Sequence, residues 1–294
     1  MSQALALAVL AGIIGGALAL MPLTGSIGLV LIGYFVQLPL ILAGLTMGLM
    51  ATIIAVASAV LVKVFIIGPA AAFIFFIAFA FPAIIVVRQA LLSRVENGTT
   101  VWYPPGLILA LLTAIATLGV ALAFVSFMGQ PGGLLGVVDR SLTGAIRDIA
   151  EATGQGLPDL APLRARLWMI PAAVGSSWLI MTVVNAVIAQ AIAVRTGWNR
   201  RPSPSLSSMD LPVWLWPMMG VAAVLAVLGG NGFGFLGRSA LIVLATPFAF
   251  LGLAVIHKFA NRWSHRQLGL AAVYAGIIVF NWPILAVVAL GLVE

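Results

Sequence analysis

The first formal charge in this chain is Lys63. Residues 1 to 62 contain no Asp, Glu, Lys or Arg. As helix they would reach about 93 Å at about 1.5 Å per residue. A bilayer's hydrocarbon core is about 30 Å thick, so this stretch alone suffices for about three crossings. The remainder of the 294 residues agrees, with 63% hydrophobic and only 7% charged side chains, where a soluble domain carries about 25% charged. Too few polar groups exist to cover a water-soluble core, which excludes a soluble globular protein and makes lipid the solvent for most of the chain. In lipid the backbone must satisfy its own polar groups, so the expected fold class is all-α, a polytopic integral membrane helix bundle.

Prolines, glycines and charges divide the apolar sequence into about nine expected transmembrane helices, at 4–21, 24–37, 42–64, 68–92, 105–128, 168–194, 212–229, 239–257 and 267–291. The first break lies at Pro22 to Gly25 and the next at Gln37 to Pro39. The segment 24–37 is short enough either to span or to re-enter. Residues 1–21 lack the basic leading region of a secretory signal, and the apolar run resumes after Pro22, so they are read as a retained helix. Between the fifth and sixth helices, Leu135, Val138, Leu142, Ile146 and Ile149 recur at spacings of three and four. That spacing predicts an amphipathic surface helix over 133–152, either a lid over an external cavity or a simple connector. The expected organisation is an N-terminal bundle at 1–128, an extramembrane loop at 129–167 and a four-helix membrane portion at 168–294.

Lysine and arginine collect in short cytoplasmic loops. Three loops fit: Arg88 with Arg94, then Arg195, Arg200 and Arg201, then Lys258, Arg262 and Arg266. Nine spans with these loops inside place the N-terminus in the cytoplasm, as expected for a multi-pass protein of a bacterial inner membrane. A re-entrant second helix would move the N-terminus outside. The net charge of +7 is therefore a statement about topology, and no nucleic-acid partner is expected.

In the first helix Ala4, Ala8, Gly12 and Gly16 fall at four-residue intervals. Small residues so spaced let a second helix approach closely. That helix could belong to the same bundle or to a partner membrane protein, with internal packing the commoner use. Polar residues at lipid depth are ligand-binding candidates because leaving them unpaired there is costly. They are Asn185, Asn281, Gln37 and Lys63. An interhelical hydrogen bond for each asparagine, or snorkelling to the headgroups for Lys63, is the commoner role of such residues and needs no ligand.

Several chemistries lack their residues. No Asp or Glu falls within an expected span, which argues against a carboxylate proton relay or an intramembrane aspartyl protease. There is no cysteine, and the two histidines, His257 and His265, lie in or beside one basic loop, so no metal site or cofactor is expected. No G-x-S-x-G elbow or Walker A motif occurs, so neither an enzyme nor a built-in ATPase is expected. Gly232 to Gly237 matches G-x-G-x-x-G, but no strand precedes it and no acidic residue follows at the required distance. It reads as a flexible external turn. Asn97-Gly98-Thr99 fits a glycosylation sequon in an expected cytoplasmic loop and reads as chance. Trp102, Trp214 and Trp216 sit near helix ends as interfacial anchors.

A set of these segments resembles the YybS-like predicted membrane proteins, described as domain of unknown function 2232. It comprises the small-residue first helix, Pro39-Leu40 followed by Gly44 and Gly48, Gly68-Pro69, Ile170-Pro171, Asn185, and Arg195 followed by Pro202, Pro204 and Leu211-Pro212. It ends on the helix, basic loop and helix of residues 251–294. The N-terminal part is similar in pattern to the substrate-binding subunits of energy-coupling-factor vitamin transporters, which dock a coupling protein driven by two ATPases. The resemblance implies that Ala4, Ala8, Gly12 and Gly16 are the docking stripe. The chain has about three more helices than the usual six of such subunits, and none of their ligand-binding residues maps onto it. The expectation is a small-molecule-binding or transport subunit, its ligand unknown. The alternatives are a non-catalytic scaffold or assembly factor for another membrane complex, or a lipid-handling protein.

Overall fold

The computed structural model describes residues 3–154, 156–204, 209–280 and 282–294. In chain order its elements are α1 (Gln3–Leu18), α2 (Ile27–Gly33), α3 (Gln37–Met47), α4 (Leu49–Ile66), α5 (Pro69–Phe75), α6 (Phe81–Ala90), β1 (Ser93–Glu96), β2 (Thr99–Trp102) and α7 (Pro105–Phe127). Then come α8 (Gly133–Thr153), α9 (Ala161–Arg164), α10 (Ile170–Arg195), α11 (Leu215–Leu228), α12 (Gly230–Ala260), α13 (Arg266–Phe280) and α14 (Pro283–Val293). Among the described residues the only strands are β1 and β2, an antiparallel hairpin pairing Ser93 with Trp102. Asn97 and Gly98 form its turn with φ of 51° and 77°, the left-handed pair that matches strand twist.

Among the described residues six helices are long and apolar enough to cross a membrane: Gly28–Met47, Leu49–Ile66, Pro69–Ala90, Pro105–Phe127, Leu167–Arg195 and Gly232–Ala260. The nine expected spans thus reduce to six of full length. The first and seventh expected helices are the shorter Gln3–Leu18 and Leu215–Leu228. The ninth is a pair, α13 and α14, bent by 120°. Burial follows the rule for lipid rather than water. In the core alanine recurs, at Ala8, Ala55, Ala59, Ala80 and Ala83, while Phe65, Phe73 and Ile74 point outward at 83%, 67% and 66% exposure. Small residues inside let helices meet closely, and large apolar ones outside meet acyl chains. The chain is an integral, multi-pass helical membrane protein.

The chain forms two compact units, Met1–Leu109 with Ile180–Asp210, and Ala110–Leu179 with Leu211–Glu294. This partition differs from the expected 1–128, 129–167 and 168–294, because α7 and α10 each run from one unit into the other.

In the first unit the break expected near Gln37 to Pro39 falls just ahead of those residues, at Tyr34–Val36 between α2 and α3. Pro39 occupies the first turn of α3, where its missing N–H is no loss. The helix expected over 42–64 is cut at Gly48, with φ 103° and ψ 171°, and the next cut is at Gly68, with φ 118° and ψ 169°. Only glycine reaches that region readily, so one or two residues suffice to end one helix and start another. α1 lies against α4 and α3, and α3 against α4 and α6.

In the second unit α12 packs on α11 and α14. Phe248, Leu244 and Leu215 centre one core cluster. The G-x-G-x-x-G segment is not the expected external turn but the first turns of α12. A Cβ on Gly237 would overlap the backbone of Ala226, so these glycines let α11 and α12 close tightly. The amphipathic helix is present as α8, with Leu134 buried beside Phe124 and Phe235 and with Leu135, Val138 and Trp168 around them.

Candidate functional site

Two spans of the first unit are irregular near their middles. Between α2 and α3 the N–H groups of Tyr34, Phe35 and Val36 donate to the carbonyls of Leu31, Ile32 and Gly33, at 3.2, 3.0 and 3.3 Å. The ladder thus tightens to three-residue bonds, and Gly28–Met47 is two helices joined by a 3-10 turn. Between α5 and α6, Phe76–Ala80 widens to a π turn in which Phe81 N–H donates to Phe76 O. Pro82 explains it: lacking an N–H and clashing with the carbonyl four residues back, it cannot continue a regular α ladder.

Gln37 joins the two irregularities. Its side chain is fully buried, and Nε2 donates to Phe79 O at 3.0 Å. Asn185 of α10 reaches the same break, with Nδ2 donating to Tyr34 O and to its own helix at Met181 O, both at 2.8 Å. The structure therefore brings together two of the residues singled out from sequence, on three spans. Gln37 stands ten residues before the α3 end at Met47, Phe79 eleven before the α6 end at Ala90, and Asn185 ten before the α10 end at Arg195. At about 1.5 Å per residue each lies about 15 Å from its end. That is half of a core about 30 Å thick.

Those three ends lie on one side, because one loop ties them. Arg200 N–H donates to Leu45 O at 3.1 Å and its Nε to Thr46 O at 3.3 Å. Arg201, 6% exposed, donates from Nη1 to Ala90 O at 2.9 Å and lies 5.6 Å from the centre of the Trp102 ring. Its own carbonyl accepts from Gln190 Nε2 and Asn199 Nδ2 at 3.0 and 2.8 Å. A guanidinium at the last carbonyls of α3 and α6 complements their dipoles. Burial pushes the Arg201 guanidinium below its ordinary pKa, yet arginine stays charged in proteins. Sequence reasoning read these arginines only as topology markers. Their positions next to a helix end and two prolines were the available signal.

The unsatisfied atoms matter most chemically. Gln37 Oε1 and Asn185 Oδ1 are buried with no hydrogen-bond partner among the described residues. Lys63 belongs to the same wall but not to the break. It is 6% exposed, donates from Nζ to Ala19 O at 2.9 Å, and lies 5.8 Å from the centre of the Phe75 ring, which stands 5.9 Å from that of Phe79. It therefore closes the C-terminal end of α1 instead of snorkelling. Asn281, the fourth residue expected in the site, lies outside the described residues.

The small-residue stripe has an occupant. Ala8, Gly12 and Gly16 are buried, and only Ala4 is exposed. A Cβ on Gly12 would overlap Ala55 O, and one on Gly16 would stand 2.9 Å from Val62 Cβ. α4 of this chain fills the stripe, the internal packing that was the commoner of its two expected uses, in place of the docking that the resemblance implies. Among the described residues no group of three or more His, Cys, Asp or Glu is placed to hold a metal. Comparison with protein-family models, curated proteins and solved structures finds no match.

Proposed function

We propose that this chain is a small-molecule-binding subunit of a membrane transport system, without its own ATPase and without covalent chemistry, and that its site is the break at Tyr34 to Gln37. The observation that carries this reading is the meeting of two irregular turns, in two spans and each ten or eleven residues from its span's end, bridged by Gln37 and held by Asn185. In a membrane, non-helical backbone is tolerated only where protein or a lined cavity satisfies it. Transport proteins put substrate at such breaks because the interrupted ladder exposes polar backbone there. The resemblance to the YybS-like proteins and to energy-coupling-factor substrate-binding subunits supports the same class. With the basic loops inside, the N-terminus is cytoplasmic and the membrane is a bacterial inner membrane. A coupling partner would engage a face other than the α1 stripe, because α4 covers it.

The test is native mass spectrometry of the chain purified in mild detergent. The account expects an adduct of small-molecule mass on the wild-type chain that disappears from a Gln37→Met, Asn185→Leu double variant of unchanged helicity. A bare chain, or one carrying only phospholipid equally in both forms, refutes it. A stoichiometric protein partner in place of a small molecule would favour a scaffold.

A further inference from the structure

Resting on that reading, we infer that the ligand at the Tyr34–Gln37 break is an uncharged molecule that donates hydrogen bonds from N–H or O–H groups. The hydrogen-bonding inventory of the site leads there. Both N–H bonds of the Asn185 amide are engaged, on Tyr34 O and Met181 O, and the Gln37 amide nitrogen is engaged on Phe79 O. What remains at each side chain is its oxygen, Gln37 Oε1 and Asn185 Oδ1, on residues 0% and 1% exposed. A carboxamide oxygen only accepts. Left unpaired at bilayer depth it costs free energy, so a donor that fills both positions is strongly preferred over an isostere without one.

Charge narrows the class further. A cationic donor would require a carboxylate to offset its desolvation, and the membrane spans contain no Asp or Glu. The basic groups within the spans of this unit, Lys63, Arg88 and Arg195, would repel it. An anion would face the two acceptor oxygens Gln37 Oε1 and Asn185 Oδ1, whose negative ends repel it. A neutral donor meets neither obstacle.

The experiment uses matched probes that differ only in the donor: indole against N-methylindole, and phenol against anisole. Binding to the full chain in phosphatidylcholine nanodiscs is measured by equilibrium dialysis, with empty discs setting the partition baseline. The inference expects saturable binding of indole and phenol at least tenfold tighter than that of their methylated partners. It also expects Gln37→Met to remove the difference. Equal saturable affinity within each pair overturns the donor assignment while leaving the site standing. No saturable binding of any probe above the empty discs overturns both. The wild-type comparison needs no variant, so a misfolded mutant does not blunt the test.

Discussion

Replacing Gly12 by valine places three carbons where α1 meets α4 with none to spare. The first would overlap the carbonyl oxygen of Ala55 and stand 2.7 Å from Ser58 Cβ. The clash is with backbone, which cannot rotate aside, so α1 must retreat along its length. Overpacking of this kind costs about 1–3 kcal/mol. Valine recovers a few tenths through better helix propensity than glycine, leaving a net loss of about 2 kcal/mol. At roughly 2–4 °C per kcal/mol for chains of comparable size, the midpoint of thermal unfolding should fall by about 4–8 °C. The assay is a melt of the purified chain in detergent, with Ala4→Leu as control. Ala4 belongs to the same stripe but is exposed, so its substitution should stay within about 0.5 kcal/mol. A Gly12→Val protein that melts with the wild type would refute the internal contact and return the stripe to a docking role.

Five further substitutions, at Gly48, Gly28, Arg201 and Gly291, probe other parts of the fold. Gly48→Ala forces a side chain onto φ 103° beneath the Arg200 guanidinium and should cost about 1–3 kcal/mol, whereas Gly28→Ala, with open space around it, should not lower the midpoint of the same melt. Arg201→Ala removes a charged hydrogen bond to Ala90 O, worth about 1.5–3 kcal/mol, and hydrogen exchange should show earlier opening at the end of α6. Arg201→Lys should restore only part, because an ammonium lacks the planar fork that also covers Trp102. In the second unit, Gly291 on α14 abuts Phe248 O of α12 as Gly252 of α12 abuts Val287 O, so Gly291→Val should release α14 and expose it to limited proteolysis.

The membrane class was legible in the sequence because a charge-free run of this length has no soluble solution. The surface helix α8 was legible because its period was unambiguous, and Gln37 and Asn185 because polar side chains at lipid depth are few. Where the spans divide was less so. Pro39 and Pro82 are each a proline in an apolar run, yet one opens a helix and the other distorts a span without ending it. Their difference lies in the turn before each, tightened to three-residue bonds ahead of Pro39 and widened to a π turn ahead of Pro82. The glycines of 232–237 have the composition of a turn, yet they open α12, with Gly237 against the backbone of α11. The hairpin turn at Asn97-Gly98 carried its usual dipeptide signal, obscured here by reading the same residues as a sequon. The charge rule for loops reads Arg200 and Arg201 as topology markers, which conceals their work as caps on α3 and α6.

The central claim is that Gln37, Phe79 and Asn185 meet at one depth in the middle of the bilayer. Because the chain has no cysteine, single spin labels can be placed on their outward neighbours Phe35, Ile77 and Val184, which are 39%, 51% and 38% exposed. Depth is read from the balance of collisions with oxygen and with a water-soluble nickel complex in liposomes. The account predicts that all three labels report about 15 Å below the hydrocarbon boundary. A label at the headgroup level, or three labels at three different depths, would contradict it.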